Sequence, residues 1–313
     1  MWLLEYLRLL GSPSPVEDPL PTRAAQEEAE SRAAAEAVEM VECGLRRPAR
    51  PKRCPSDDDW RVAADRIRAG EGDLPLPPTD MRTLQPGTWL NDEVINAYMQ
   101  LLNERNARHR EAFSKSQTSQ NKVMDVDPDS APSNEPGTFL PPSVYCWNSF
   151  FFPKLCGSDW RKSGDYQAVA RWSTRKGIDV FDLDWMVVPV HVKQCHWVCA
   201  AVDMRNRRVY YLDSMTGPEG GLVFSKLLEY LKCEHEDKLG RPLAYSDEWM
   251  LAEVDAPTQD NGSDCGVFTC AAAEYISDGR FDERHPPAFD YGQDDVEDQR
   301  RLIALCLHEA SIP

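Results

Sequence analysis

Four residues of this chain have the types that thiol acyl transfer needs: His196, Asp213, Gln259 and Cys265. Such chemistry requires a thiolate, a base to form it, a group that orients the base, and donors for the developing oxyanion. Cys265 lies in Asn261-Gly262-Ser263-Asp264-Cys265-Gly266, after turn-forming residues and at the head of an apolar run with helical spacing. A sulfur at a helix N-terminus sits in partial positive charge, which favours its anionic form. Gly266 permits close backbone approach, and the first-turn N–H of Cys265 has no intrahelical acceptor, so it can face an oxyanion. His196 opens a strand-like run and Asp213 closes the next one, 17 residues later. If those strands pair, the carboxylate reaches the imidazole, fixes its tautomer and stabilises the imidazolium. Gln259, on the approach to Cys265, can supply a side-chain N–H as a second oxyanion donor. Each residue alone also suits a bland reading. A histidine beside a tryptophan is an ordinary core residue, a cysteine before glycine a small buried hydrophobe, and Asp213-Ser214 a turn. Types and spacing together point to a cysteine hydrolase.

The elements that must position these residues can be read from periodicity. Asp184 to Val192, His196 to Val202 and Arg208 to Leu212 alternate or run apolar as strands do, separated by short polar turns that suit antiparallel neighbours. Trp249 to Val254 reads as a further strand. Helical spacing marks Asn91 to Asn103, with Asn91 or Asp92 as N-cap, then Phe224 to Cys233, Asp264 to Ser277 and Asp295 to His308. Helices and strands segregate rather than alternate, which predicts an α+β domain. That domain is expected over residues 74–313, with a flexible polar insertion at about 105–142. Residues 1–73 differ in composition and read as an N-terminal extension, largely disordered, with a candidate helix at 24–42. Within it, Arg46 to Arg53 holds five basic residues and no acid, which suits either a nuclear-localisation patch or a solvated linker.

Composition narrows the function classes. The 313 residues are 42% hydrophobic and 28% charged, which is ordinary globular usage. Thirty-five basic against 52 acidic residues give a net charge of -17, which argues against a broad nucleic-acid-binding face. Between Ser246 and Pro313 stand 16 acidic and 4 basic residues, a solvated face or a surface for a basic partner. No run of eighteen apolar residues exists to span a membrane, and the opening residues lack the features of a signal peptide. Ten cysteines without a Cys-x-x-Cys pair or zinc-finger spacing read as reduced thiols of a cytosolic or nuclear protein, with no metal site.

Five ordered blocks resemble the ubiquitin-like-protein protease family, the SUMO-deconjugating cysteine proteases with a papain-like fold. Trp89-Leu90-Asn91-Asp92 looks like the motif before the family's first domain helix. Phe150-Phe151-Phe152-Pro153-Lys154-Leu155 with Arg171-Trp172 looks like its modifier-contacting segment. Val188-Pro189-Val190-His191 and His196-Trp197 match the base strand, and Tyr210-Tyr211-Leu212-Asp213-Ser214 the acid strand. Pro257 through Phe268 matches the nucleophile segment nearly throughout.

This resemblance, over about residues 80–310, implies Cys265 as nucleophile, His196 as general base and then acid, Asp213 as orienter and Gln259 as oxyanion donor. It further implies that Trp89 and Trp197 form the roof and wall of a tunnel that admits a Gly-Gly tail, and that Asp92, Arg171 and Trp172 touch the modifier. The implied fold is an antiparallel sheet with helices packed around it and the nucleophile at a helix N-terminus. The implied activity is SUMO deconjugation and tail processing by a monomer, with SUMO and SUMO-conjugated proteins as partners, no cofactor, and a nuclear or cytoplasmic location. Alternatives are a protease for the neddylation modifier or ubiquitin, an acetyltransferase with the same residue order, and a catalytically silent SUMO-binding module.

Overall fold

The computed structural model describes residues 76–123, 141–157, 160, 164–281 and 289–312, with side chains of the first segment described to residue 115. All of them fall in the compact unit 54–313. The expected extension at 1–73, its helix at 24–42 and the basic run at 46–53 lie outside the described residues.

In chain order the elements are α1 (Pro78–Met81), α2 (Asp92–Val123), β1 (Val144–Cys146), α3 (Phe151–Cys156), α4 (Trp172–Lys176), β2 (Trp185–Val192), β3 (His196–Asp203), β4 (Arg208–Leu212), α5 (Gly220–Leu239), β5 (Met250–Ala252), α6 (Cys265–Ser277) and α7 (Val296–His308). The class is α+β, built on a five-stranded sheet of order β1-β2-β3-β4-β5.

The sheet is mixed, not antiparallel throughout. β2, β3 and β4 are antiparallel neighbours, whereas β1 runs parallel to β2 and β4 parallel to β5. Connection length explains the difference. Short polar turns join the central strands, but α3 and α4 intervene before β2 and α5 before β5, and such crossovers return the chain in the same direction.

Side-chain alternation along the strands divides the core in two. Trp197, Cys199 and Ala201 of β3 pack with α2, α6 and α7 on one face. Val198, Ala200 and Val202 pack with α3 and α5 on the other. Every residue of β3 is buried, as a strand covered on both faces must be.

The polar stretch after Asn103 is not a loop from residue 105. α2 continues to Val123, and only 124–140 of the expected insertion lies outside the described residues. Its buried polar residues, Arg105 and Asn106, pack because they find partners, as does the half-buried Asn103. Asn103 bonds both the N–H and the carbonyl of Cys146, at 2.7 and 2.8 Å. Asn106 accepts from the Val144 N–H at 3.1 Å and donates to the Pro142 carbonyl at 2.7 Å. Two asparagines on one helix face thus pair the free edge of β1, a strand the sequence pattern does not reveal. Arg105, 1% exposed, reaches Glu274 at 3.3 Å and Ser277 at 2.8 Å on α6. At the other end Asn91 is the N-cap, its Oδ1 accepting from the Val94 N–H at 3.1 Å.

Gly266 records how tightly α6 meets the segment before α2. A Cβ there would stand 2.8 Å from the Leu90 Cβ and 3.2 Å from its Cγ. Gly266→Ala should therefore cost about 1–3 kcal/mol by overpacking. In a denaturation double-mutant cycle with Leu90→Gly, which removes the opposing Cβ, the combined loss should fall short of the sum of the single losses. Strict additivity would contradict the contact.

Candidate active site

The sheet brings one end of β3 beside one end of β4. His196 is the first residue of β3, which follows a tight turn where Lys193 and Gln194 hold φ of 50° and 58° and the Cys195 N–H returns to the Val192 carbonyl at 3.1 Å. Asp213 follows the last residue of β4. The His196 Nε2–H donates to Asp213 Oδ1 at 2.6 Å, with both side chains almost wholly buried. The carboxylate is held from behind by the N–H of Met215 at 2.8 Å and of Gly217 at 2.7 Å. The other ring nitrogen, Nδ1, is buried and closes no hydrogen bond, and Cys265 is the second group acting on the ring.

Opposing effects set the charge of this pair. Burial lowers the basicity of His196, but the hydrogen bond to Asp213, the proximity of Cys265 and the charge interactions with both outweigh it and lift the pKa to about 9. Burial likewise pushes Asp213 up, yet the bond and charge of His196 and the two backbone N–H groups hold it below the usual carboxylate range. At neutral pH the pair is imidazolium and carboxylate.

Cys265 is the first residue of α6 and is buried. The N-cap residue Asp264 makes no side-chain cap, so its carboxylate does not occupy the first-turn N–H groups. Gln259 sits beside Asp213 through Ser214, whose hydroxyl donates to the Gln259 side-chain carbonyl at 2.6 Å and whose carbonyl accepts the Gln259 N–H at 3.0 Å. That orients the amide, and its Nε2 spends one N–H on the Asn261 carbonyl at 2.5 Å and keeps a second.

Trp197 is buried, its indole N–H donating to the Leu90 carbonyl at 3.1 Å. Its ring stacks on His191, the residue opposite it on β2, at 4.0 Å and 6°. Trp89, next to Leu90, is 41% exposed. Asp92 stands in the first turn of α2, and its charge opposes the burial that lowers the pKa of His191. Arg171 and Trp172 are elsewhere. Arg171 is exposed, and Trp172 packs with the core on the other sheet face, near Trp147 and Phe151. Of the three consecutive phenylalanines, Phe151 and Phe152 are fully buried and Phe150 is exposed.

Residues 88–309 match the Ulp1 protease family, C-terminal catalytic domain. The chain belongs to that family. Sentrin-specific protease 2 from Homo sapiens is 36% identical over 216 residues, which are 68% of this chain and 30% of that protein. The chain thus spans less than a third of the human relative's length. A solved Ulp1-like SUMO protease catalytic domain from Chaetomium thermophilum is 27% identical with a TM-score of 0.60, over 86% of this chain and 96% of that one. The yeast Ulp1 protease domain, solved in complex with the yeast SUMO orthologue Smt3, shares the fold at 23% identity and a TM-score of 0.59, over 82% of this chain and 98% of that one.

Several site residues of this Ulp1-family domain are invisible to motif reading. Ser214 and His191 lie inside recognisable blocks, but only the folded chain gives them tasks, one orienting an amide and the other backing an indole. Arg300 is a buried cation beside a half-buried neighbour of the same type, Arg301, and nothing in its sequence neighbourhood sets it apart. Among the described residues no group of His, Cys, Asp and Glu could hold a metal ion, and no helix is long and apolar enough to cross a membrane. All eight described cysteines are free thiols.

Because His196 is raised above its ordinary 6.5, the stability it contributes is complete below that value and is lost as pH climbs through about 9. Asp213 behaves oppositely, contributing above the ordinary carboxylate range and losing that contribution as pH falls through its depressed folded value. Asp213→Asn removes the principal counter-charge and leaves burial opposed mainly by Cys265. The His196 midpoint, followed by ring NMR, should fall from near 9 by two units or more; a midpoint unmoved by the substitution would contradict this account.

Proposed function

We propose that this chain is a thiol isopeptidase and tail-maturing peptidase that cleaves after the Gly-Gly end of a SUMO-type modifier, through a catalytic domain at residues 74–313. The observation that carries the reading is the buried His196–Asp213 bond acting with a cysteine that begins a buried helix. Family membership supports the reaction class. The human and Chaetomium relatives, named for sentrin and SUMO, support this modifier over the neddylation modifier and ubiquitin.

In this mechanism the Cys265 thiolate attacks the carbonyl carbon of the modifier's terminal glycine. Oxyanion charge is received by the Cys265 N–H and the second N–H of Gln259. The tetrahedral intermediate collapses as the C–N bond breaks, and the His196 imidazolium gives its proton to the leaving lysine amine. Neutral His196 then takes a proton from water, which attacks the thioester. The Cys265 sulfur leaves as thiolate, and the modifier departs with a terminal carboxylate. Asp213 holds the imidazole throughout. Trp89 and Trp197 flank the tail, and two flat indoles leave room for residues without side chains. Asp92, Arg171 and Trp172 meet the modifier's globular body. No step requires a cofactor, and the domain acts as a monomer. The basic run at 46–53 supports a nuclear address.

Electrophilic probes ending in Gly-Gly, built on SUMO, the neddylation modifier and ubiquitin, test the reading. The expected result is a covalent adduct with the SUMO probe that disappears in Cys265→Ala. An adduct with another probe alone would overturn the modifier, and none at all would overturn the reaction class. Cys265→Ala should still bind SUMO, since Arg171 and Trp172 stand apart from the sulfur. Trp197→Ala should lower kcat/KM at least tenfold.

A further inference from the structure

Trp89 is an exposed ring on a segment with little regular structure, yet the proposed passage needs it fixed relative to Cys265. The segment is anchored from an unexpected place. Arg300, on α7 and 2% exposed, sends its guanidinium to three backbone carbonyls before Trp89: Thr83 and Gln85 at 3.1 Å each, and Thr88 at 2.8 Å. The same group reaches the turn that carries the nucleophile, with Asp264 Oδ1 at 2.6 Å and the Ser263 carbonyl at 3.4 Å. Asp264 is locked in turn by Asn261 at 2.6 Å and Gln293 at 3.0 Å. On the far side of Trp89, Leu90 takes the Trp197 indole N–H and packs on Gly266. Trp89 is therefore bracketed, by Arg300 through Thr88 and by the apolar contact through Leu90.

We infer that Arg300 is a positioning residue that fixes the Trp89 segment to the Cys265 turn, and so sets the passage through which the substrate tail reaches the thiol. The inference rests on the reading of Cys265 as nucleophile. Only a planar fork with several donors spans five acceptors on two segments, and a lysine ammonium, with three donors at one point, cannot. A guanidinium paired with a carboxylate in a buried place also resists rearrangement, because separating the charges leaves both unsolvated. Displacing a tail-positioning wall by about 1 Å costs on the order of 100-fold in rate for a reaction that depends on alignment. A small electrophile that reaches the sulfur without threading a passage is indifferent to that displacement.

That contrast gives the test. Wild type, Arg300→Lys and Cys265→Ala are compared in turnover of SUMO carrying a fluorogenic amide on its terminal glycine, and in the rate at which iodoacetamide alkylates Cys265. Arg300→Lys should lower kcat at least tenfold with KM within threefold, while alkylation stays within twofold of wild type. Parallel loss of turnover and alkylation would mean a lower folded fraction and would overturn the inference, as would unchanged turnover. If Arg300→Lys does not fold, Asp264→Asn replaces it. That change loosens the guanidinium's charged anchor, and kcat should fall at least threefold without slower alkylation; undiminished kcat would again overturn the inference. Turnover that survives Cys265→Ala would instead remove the reading of the nucleophile, and the role of Arg300 with it.

Discussion

A buried imidazole stays charged only where a buried counter-charge stands within hydrogen-bond reach, and the 2.6 Å contact between His196 and Asp213 supplies it. Much of the fold follows from that requirement. Asp213 must itself be held as an anion away from water, which the backbone N–H groups of Met215 and Gly217 do. Those amides are available because β4 has just ended and the chain turns. β3 must begin where β4 stops, and their antiparallel register from Cys199–Leu212 to Asp203–Arg208 sets that offset. A one-residue slip would turn His196 to the other sheet face and leave both groups buried without partners. A slip would also carry the Trp197 indole out of the core of α2, α6 and α7 and into that of α3 and α5, so the packing of the sheet and the charge state of the site are one constraint.

The two faces of the sheet divide the work. One carries α2, α6 and α7, and there helix-to-segment fits of ångström tolerance, such as Leu90 on Gly266, locate the sulfur and the Trp89 segment. The other carries α3, α4 and α5, and presents Arg171 and Trp172. A buried carboxylate organises that second region as well. Glu234 of α5 accepts from Ser173 at 2.5 Å and from Tyr166 at 2.7 Å, tying the segment around Arg171 to a long, well-packed helix. On the proposed reading, the recognition contributed by Arg171 and Trp172 is built on a core separate from that of the chemistry, whereas Asp92, on α2, stands on the face that carries Cys265. Surface changes at Arg171 then leave the geometry at His196 untouched.

Sequence alone exposed the residues whose chemistry demands a type and a local setting. A cysteine after a turn and before a helix, and a histidine and an aspartate at strand ends, are legible because few other types perform those tasks. The three central strands were equally legible, being apolar runs separated by short turns. What the sequence does not display depends on partners far along the chain. β1 is three residues long, and its edge is paired by Asn103 and Asn106 rather than by a strand, so no alternation announces it. The continuation of α2 looked too polar to pack because Arg105 is satisfied by Glu274 and Ser277, over 160 positions away. The parallel edges follow from crossover helices, which local periodicity does not orient. Arg300 binds carbonyls of Thr83, Gln85 and Thr88, and backbone carbonyls carry no sequence signal.

On the proposed reading, the coupling between His196 and Cys265 also bears on how one imidazole would serve two opposite roles. In the resting site Asp213 and Cys265 together raise His196 to about 9, so it is protonated at neutral pH. Such an acid is well matched to the amine of a departing lysine, whose pKa is about 10.4, and the transfer runs downhill. In the proposed mechanism, acylation of the sulfur would remove one of the two influences that raise His196. Burial then counts for more, and the pKa of the imidazole drifts downward, which raises the share of the neutral form that activates water. On that reading the thioester itself would convert its neighbour from acid to base. Asp213, untouched by acylation, keeps that drift from going so far that the ring loses its orientation or becomes too weak a base to deprotonate water.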